Sequence, residues 1–298
     1  MWPVFKLLSS LAIVTGILWL AGVGNVGALL AGADPRWLLL AGGCLTLSTF
    51  LMALRWQWIA HAYDLELDYR HAVREYYLSL LINQTLPGGV FGDASRAVRL
   101  RHQGDLKRAA LSVLVERMMG QVAMFGILTI GCAVALFSVG RIVWPTWFWT
   151  IPAGVALAGA LLHMIRHSNS FLAGLAGLLR QGGHLTLSFM IALLLVFSLS
   201  ACTAAIGADL PLIAVITLMP LILTAMLIPF TVGGWGWREG AAAALFPLAG
   251  ATAAEGVAAG IVYGAMLLIT SLPALIWVLT PTGLASFDGN GSNFRPTR

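Results

Sequence analysis

Three short stretches of this chain hold residues whose types and spacing could bind or move a charged group. The first reads Asn83-Gln84-Thr85-Leu86-Pro87-Gly88-Gly89-Val90-Phe91-Gly92-Asp93-Ala94-Ser95-Arg96. Glycines such as Gly88, Gly89 and Gly92 let successive backbone N–H groups converge, a geometry that favours anions. Asp93 and Arg96, spaced i, i+3, share one helix face. Asp93 falls in a first helical turn, where a carboxylate suits the dipole. The second stretch carries Gly233, Gly234, Gly236, Arg238 and Glu239, with Trp235 and Trp237 interleaved as candidate interfacial anchors. The third is the pair Glu116-Arg117 inside an apolar run. Charges at that depth are costly and usually face a partner or a wet path. The chemistry implied is seizure of an anionic group by Arg96, Arg117 and Arg238. Asn83, Asp93, Glu116 and Glu239 would orient those arginines or carry protons. A plainer reading stays open, in which Asp93 caps a helix, Arg96 marks an interface and Glu116-Arg117 locks helices together.

The rest of the chain must hold these groups, and its composition says where. Of 298 residues, 59% are hydrophobic and 10% charged, against about 25% charged in a soluble domain. With a mean hydropathy of +0.88, the chain reads as an all-α, polytopic transmembrane helical bundle. The net charge of +5 forms no basic stripe interleaved with aromatics, so nucleic acid is not an expected partner. Cys44, Cys132 and Cys202 lie in apolar runs and suggest packing rather than a disulfide framework or a metal site.

A crossing needs about 20 apolar residues. Candidate spans are Val4–Val23, Trp37–Ala60, Ala109–Val139, Trp144–Ile165, Leu185–Ile206, Leu210–Ile228 and Gly256–Leu279, about seven within one. Lys6 and the apolar run after it resemble a signal peptide. The small-residue pattern Ala31–Ala33 lies too far on for cleavage, so the segment reads as a retained span. Phe171–Leu179 is a candidate interfacial helix. Both Gly-rich stretches read as re-entrant helical hairpins, near 76–101 and 222–246, because broken backbone survives at membrane depth only when buried or lining a wet cavity. One transmembrane domain is expected over 1–285, followed by a short polar tail, 286–298. The two Gly-Gly pairs lie 145 residues apart (233 minus 88), and paired interruptions of this kind point to a transporter site.

Placing the N-terminus in the cytoplasm puts Lys6, Arg55, Arg70, Arg74, Arg96, Arg99, Arg101, Lys107, Arg108, Arg166, Arg180 and Arg238 inside. Arg36, Arg141, Arg295 and Arg298 fall outside, and Arg117 within a span. Twelve against four predicts that orientation, with both hairpins entered from the cytoplasm. His163 and His167 lie one helical turn apart, but no third ligand is near in sequence. No Walker lysine, HExxH or GxSxG motif is present. No metal, cofactor or enzymatic activity is expected.

These stretches resemble the flippase-like integral membrane family named for the transmembrane region of lysylphosphatidylglycerol synthase. Its first block, Asn…Leu-Pro-x-x-x-Gly-Gly-Asp-x-x-Arg, is matched by Asn83, Leu86, Pro87, Gly92, Asp93 and Arg96, with Phe91 in place of the first Gly of the pair. A second block, (Asp/Glu)-Arg-x-x-Gly, is matched by Glu116, Arg117 and Gly120. A third, Pro-x-x-x-Gly-Gly-x-Gly-x-Arg-Glu-Gly, is matched from Pro229 to Gly240. The pair Arg55-Trp56 is a further likeness. The resemblance implies a stand-alone lipid flippase of the cell membrane, without the soluble synthase domain, moving a lipid with an anionic phosphate headgroup. Its partners would be membrane lipids, and beyond them a second copy of the chain or a lipid-synthesis enzyme. Two other classes stay open: a membrane-embedded lipid-modifying enzyme, and a non-transporting accessory to a lipid or glycan enzyme.

Overall fold

A computed structural model describes residues 15–86, 91–101, 105–137, 150, 177–178, 180–226 and 232–279. Every element among them is a helix. In chain order these are α1 (Val23–Ala31), α2 (Pro35–Ala62), α3 (Tyr69–Thr85), α4 (Phe91–Leu100) and α5 (Leu106–Phe137). There follow α6 (Gly182–Ala205), α7 (Leu212–Ala225), α8 (Trp237–Leu245), a 3-10 turn (Phe246–Ala249), α9 (Ala253–Ser271) and α10 (Ala274–Leu279).

The helix starts follow from capping chemistry. Asp34 precedes Pro35, and its carboxylate accepts from the Arg36 N–H at 2.8 Å. Asp68 does the same for Arg70 at 2.9 Å, opening α3. Thr252 and Glu255 form a capping box at the head of α9. That gives Glu255 a local structural role.

Four helices are long and apolar enough to cross a membrane: Pro35–Ala62, Leu106–Ala135, Gly182–Ala205 and Ala253–Leu279. Their outward faces carry Leu39, Ile130, Leu193, Phe197 and Ile269, each more than half or about half exposed. Such a band suits hydrocarbon and not water. The expectation of about seven crossings is therefore met by four among the described residues. Trp144–Ile165, Phe171–Leu179 and the histidine pair lie essentially outside those residues, as does most of Val4–Val23. The predicted span Leu210–Ile228 becomes α7, only 14 residues with Pro220 inside it. At 1.5 Å per residue it reaches about 21 Å, short of the roughly 30 Å hydrocarbon core.

Both Gly-rich stretches do interrupt helices. α3 packs against α4, and α7 against α8, each pair joined across a break. Two apolar cores result. One joins α2, α5, α6, α7, α8 and α9 around Leu199, Leu218 and Phe246. The other gathers Trp56, Leu65, Leu67, Tyr76 and Leu100 around the first helix pair. Arg96 packs on Trp56 and Tyr76 of the second core, and Arg238 on Tyr263 of the first.

Candidate functional site

The charges of the first and third stretches, joined by Arg55, form a linear, alternating chain: Arg55, Glu116, Arg96, Asp93, Arg117. α2 supplies Arg55, α4 supplies Asp93 and Arg96, and α5 supplies Glu116 and Arg117. Arg55 pairs with Glu116, donating from Nε to Oε1 at 3.2 Å, and its Nη1 donates to Ser188 Oγ on α6 at 3.1 Å. Arg96 Nη2 donates to Glu116 Oε2 at 2.8 Å and lies 2.9 Å from Asp93 Oδ1. Arg117 pairs with the other Asp93 oxygen. Tyr76 Oη adds a donor to Glu116 at 3.0 Å. Each carboxylate thus bridges two guanidinium groups. Three cations and two anions leave an excess of one positive charge.

The expected i, i+3 pair on α4 is present, and Glu116 and Arg117 both meet charges of the first hairpin. Being about 100° apart around α5, they face different partners and join only through Asp93 and Arg96. Arg96 is 1% exposed, with its guanidinium 4.7 Å from the Trp56 ring centre and 4.6 Å from that of Tyr76. Its Nε and Nη1 have no acceptor among the described residues, and the two ring faces supply the attraction instead.

Asn83 fixes the hairpin itself. Its Oδ1 accepts the Gly92 N–H at 2.8 Å, while its Nδ2 donates to Asp93 Oδ2 at 3.3 Å. A Cβ at residue 92 would run into the Ser79 carbonyl, so glycine permits the close approach of α3 and α4. The Gly92 N–H, expected to face an anion, is thus committed to Asn83. Gly88 and Gly89 lie outside the described residues. Phe91 is 53% exposed and lines neither of the cavities described below.

The second hairpin closes on itself. Gly233, Gly234 and Gly236 take φ of +55°, +77° and +93°, values that L side chains rarely adopt. The Gly236 N–H donates to Glu239 Oε2 at 2.6 Å, and Arg238 Nε donates to Glu239 Oε1 at 3.0 Å. The helix N-terminus predicted to seat an anion therefore already holds the chain's own carboxylate. Arg238 is fully buried, stacked 4.8 Å from the Trp235 ring centre and 5.8 Å from that of Tyr263. Trp235 is thus a partner of Arg238. The two helix pairs meet where Gly233 abuts Gln84.

Two cavities adjoin these groups. The first, about 200 Å³, has a polar wall of Arg55, Ser79, Asn83, Arg117 and Ser188 and an apolar wall of Met52, Met124 and Leu195, among others. The second, about 250 Å³, reaches the other hairpin through Gln84, Thr224, Gly233, Gly234 and Tyr263. Leu80, Asn83, Arg117, Gln121, Met124 and Leu195 line both. Arg117 keeps 35% of its side chain exposed. Arg96 and Arg238 line neither cavity. Of the three arginines predicted to meet a headgroup, Arg117 is the one on the cavity wall. Among the described residues, no group of three or more His, Cys, Asp or Glu is placed to hold a metal ion.

Sequence reasoning passed over Arg55 as a site residue and counted it with the cytoplasmic loop charges. It lies inside α2 and is 3% exposed. Removing the buried Arg55, Arg96 and Arg238 from the inside count leaves nine (12 − 3) against four. A second missed signal is the run Gly256, Gly260, Gly264 on α9, spaced one helical turn apart. A Cβ at residue 256 would lie 2.6 Å from the Ala242 carbonyl carbon, and one at 260 would lie 3.2 Å from Glu239 Cα. At 264 it would strike the Arg238 guanidinium. Gly120 likewise makes room for Arg55, at 3.3 Å. Gly264 and Gly120 are thus the sockets for Arg238 and Arg55, while Gly256 and Gly260 let α9 approach the backbone of α8.

Comparison with curated proteins finds no match. The family described as "Lysylphosphatidylglycerol synthase TM region" matches residues 7–274, a stretch that takes in all three charged motifs and both Gly-lined sockets. The chain belongs to the lysylphosphatidylglycerol synthase TM region family.

Proposed function

We propose that this multi-pass membrane protein moves a lipid with an anionic phosphate headgroup between leaflets. The observation that carries the reading is the alternating charge chain, whose two terminal arginines, Arg55 and Arg117, both line one cavity. Its single excess positive charge matches one phosphodiester negative charge. The headgroup would displace part of the Asp93–Arg117 contact and gain donors from Arg117, Ser79 and Asn83. Arg96, held between Trp56 and Tyr76, acts as the fixed centre that keeps both carboxylates in place. Acyl chains would lie along the apolar side, beside Met52 and Leu195. Together the cavities fall in the range of about 300–1,000 Å³ usual for small-molecule sites. In this reading both hairpins enter the cell membrane from the cytoplasmic side and carry the site at their junction.

The test is reconstitution into liposomes with fluorescent phospholipids, scoring how fast label becomes accessible to a membrane-impermeant quencher. Arg117→Ala is expected to lower the rate at least about tenfold, the scale of a lost charge-assisted hydrogen bond. Wild-type protein that is well folded yet moves no anionic lipid would refute the reading.

A further inference from the structure

Resting on that transport reading for its role in lipid movement, we infer that α7 is a hinged wall of the second cavity. Its last turn, from Pro220 to Met226, swings about a fulcrum at Gly131 of α5 and sets the width of that cavity.

The hinge follows from what proline removes. Pro220 lies inside α7 and brings no N–H to the Ile216 carbonyl one turn back, which its ring also crowds. Two threonines flank this break. Thr217 Oγ1 donates to the Ile213 carbonyl at 2.6 Å and Thr224 Oγ1 to the Pro220 carbonyl at 2.7 Å, back-bonds of the kind that bend helices. Against the Ile216 carbonyl stands Gly131, where a Cβ would lie 2.6 Å from the carbonyl oxygen and 3.0 Å from Thr217 Cγ2. α5 thus meets α7 at the level of the missing bond through a residue with no side chain to interlock.

The other helices around the second cavity are held more firmly. α9 contributes Tyr263 and Leu267, and Gly256, Gly260 and Gly264 seat it closely on α8. α5 contributes Arg117, Gln121 and Met124 from a run of 32 residues without proline. The end of α7 contributes Leu223 and Thr224, with Met226 just beyond it, all on the far side of the break from Ile216. No α7 residue lines the first cavity. Movement at Pro220 therefore reshapes the second cavity and leaves the chain of ion pairs in place. The cavity itself, about 250 Å³, is the room into which this turn moves.

Hydrogen–deuterium exchange on the purified protein tests the hinge without any lipid. In the wild type, amides 221–224 are expected to exchange at least about fivefold faster than amides 216–219, the scale of one missing backbone hydrogen bond. Pro220→Ala restores the N–H, so exchange over 221–224 should slow about fivefold while the melting temperature stays at or above that of the wild type. In liposomes carrying fluorescent phosphatidylglycerol, the same variant should move lipid at least about fivefold more slowly, as expected for a stiffened gate. Pro220→Gly restores the N–H but leaves the backbone soft, and should keep more than about half of the wild-type rate. A merely structural proline would not yield a protein that is equally stable yet slower. Equal exchange of the two halves in the wild type, or a Pro220→Ala protein that transports at the wild-type rate, would overturn the hinge and leave the transport reading standing. A wild type that moves no lipid would refute the transport reading, and the exchange comparison would then decide the hinge by itself.

Discussion

Replacing Glu116 by Gln is the sharpest test of the alternating charge chain. Glu116 is 1% exposed and receives Arg55, Arg96 and Tyr76 together. Gln keeps the shape but removes the charge, so the chain changes from three cations and two anions to three cations and one anion. The excess rises from one positive charge to two, and an amide N–H₂ turns toward a guanidinium. Breaking a buried ion pair on one side costs about 3–5 kcal/mol. At a few degrees per kcal/mol, the melting temperature in detergent should fall by about 10 °C. Adding Arg55→Met restores the excess to one, because Arg96, Asp93 and Arg117 remain as two cations and one anion. The double variant should therefore recover about half of the lost stability, although each change alone is destabilising. Melting of the single and double variants, followed by intrinsic tryptophan fluorescence, reads both effects. A Glu116→Gln protein that melts with the wild type, or a double variant as unstable as the summed singles, would refute the charge count.

Three further outcomes follow from the packing. Gly264→Ala should destabilise by about 2 kcal/mol or more, because its methyl group must displace the buried Arg238 guanidinium, whereas Gly120→Ala, with 3.3 Å to Arg55, should cost about 1 kcal/mol or less; paired thermal melts distinguish the two. Arg96→Ala and Arg238→Ala should each lower the melting temperature by several degrees, by leaving carboxylates buried without their partner, while Arg117→Ala, on a cavity wall, should lower it by less than about half as much. Phe91→Gly, which brings the first block to the family pattern, should change stability by no more than about 1 kcal/mol, since the ring is largely exposed.

The three motifs were legible because proline, glycine and charge stand out in an apolar chain and are costly there without a purpose. The partnership of Glu116 and Arg117 with the first hairpin followed from the same cost. What spacing does not reveal is which charge pays for which. Arg55 looked like a loop-flanking basic residue, yet it reaches across to α5 from inside α2. Ser188 is a polar residue on a mostly apolar helix and Tyr76 one of many polar residues on α3, so only the three-dimensional packing shows that they meet Arg55 and Glu116. Gly256, Gly260 and Gly264 were readable as a small-residue stripe, but nothing local tells that the stripe packs on the preceding helix α8 and that Gly264 sockets its arginine. At the second glycine loop the chain itself occupies the position predicted for an anion. A helix N-terminus attracts any carboxylate, and Glu239, three residues on from Gly236, arrives first.

That self-capping has an electrical consequence. Arg238 and Glu239 neutralise each other within one turn of α8, so this helix has no net side-chain charge to carry along the membrane normal. A membrane potential does work of about 2.3 kcal/mol per 100 mV on each elementary charge displaced across it, and on a neutral unit it does none. A rocking motion of the second hairpin would be indifferent to voltage. The excess positive charge beside the first hairpin, once matched by a phosphodiester, would be neutral as well. The empty site must then return with that excess uncompensated, so moving an anionic lipid still carries one charge through the field, and transport by such a cycle should differ in rate between polarised and depolarised vesicles.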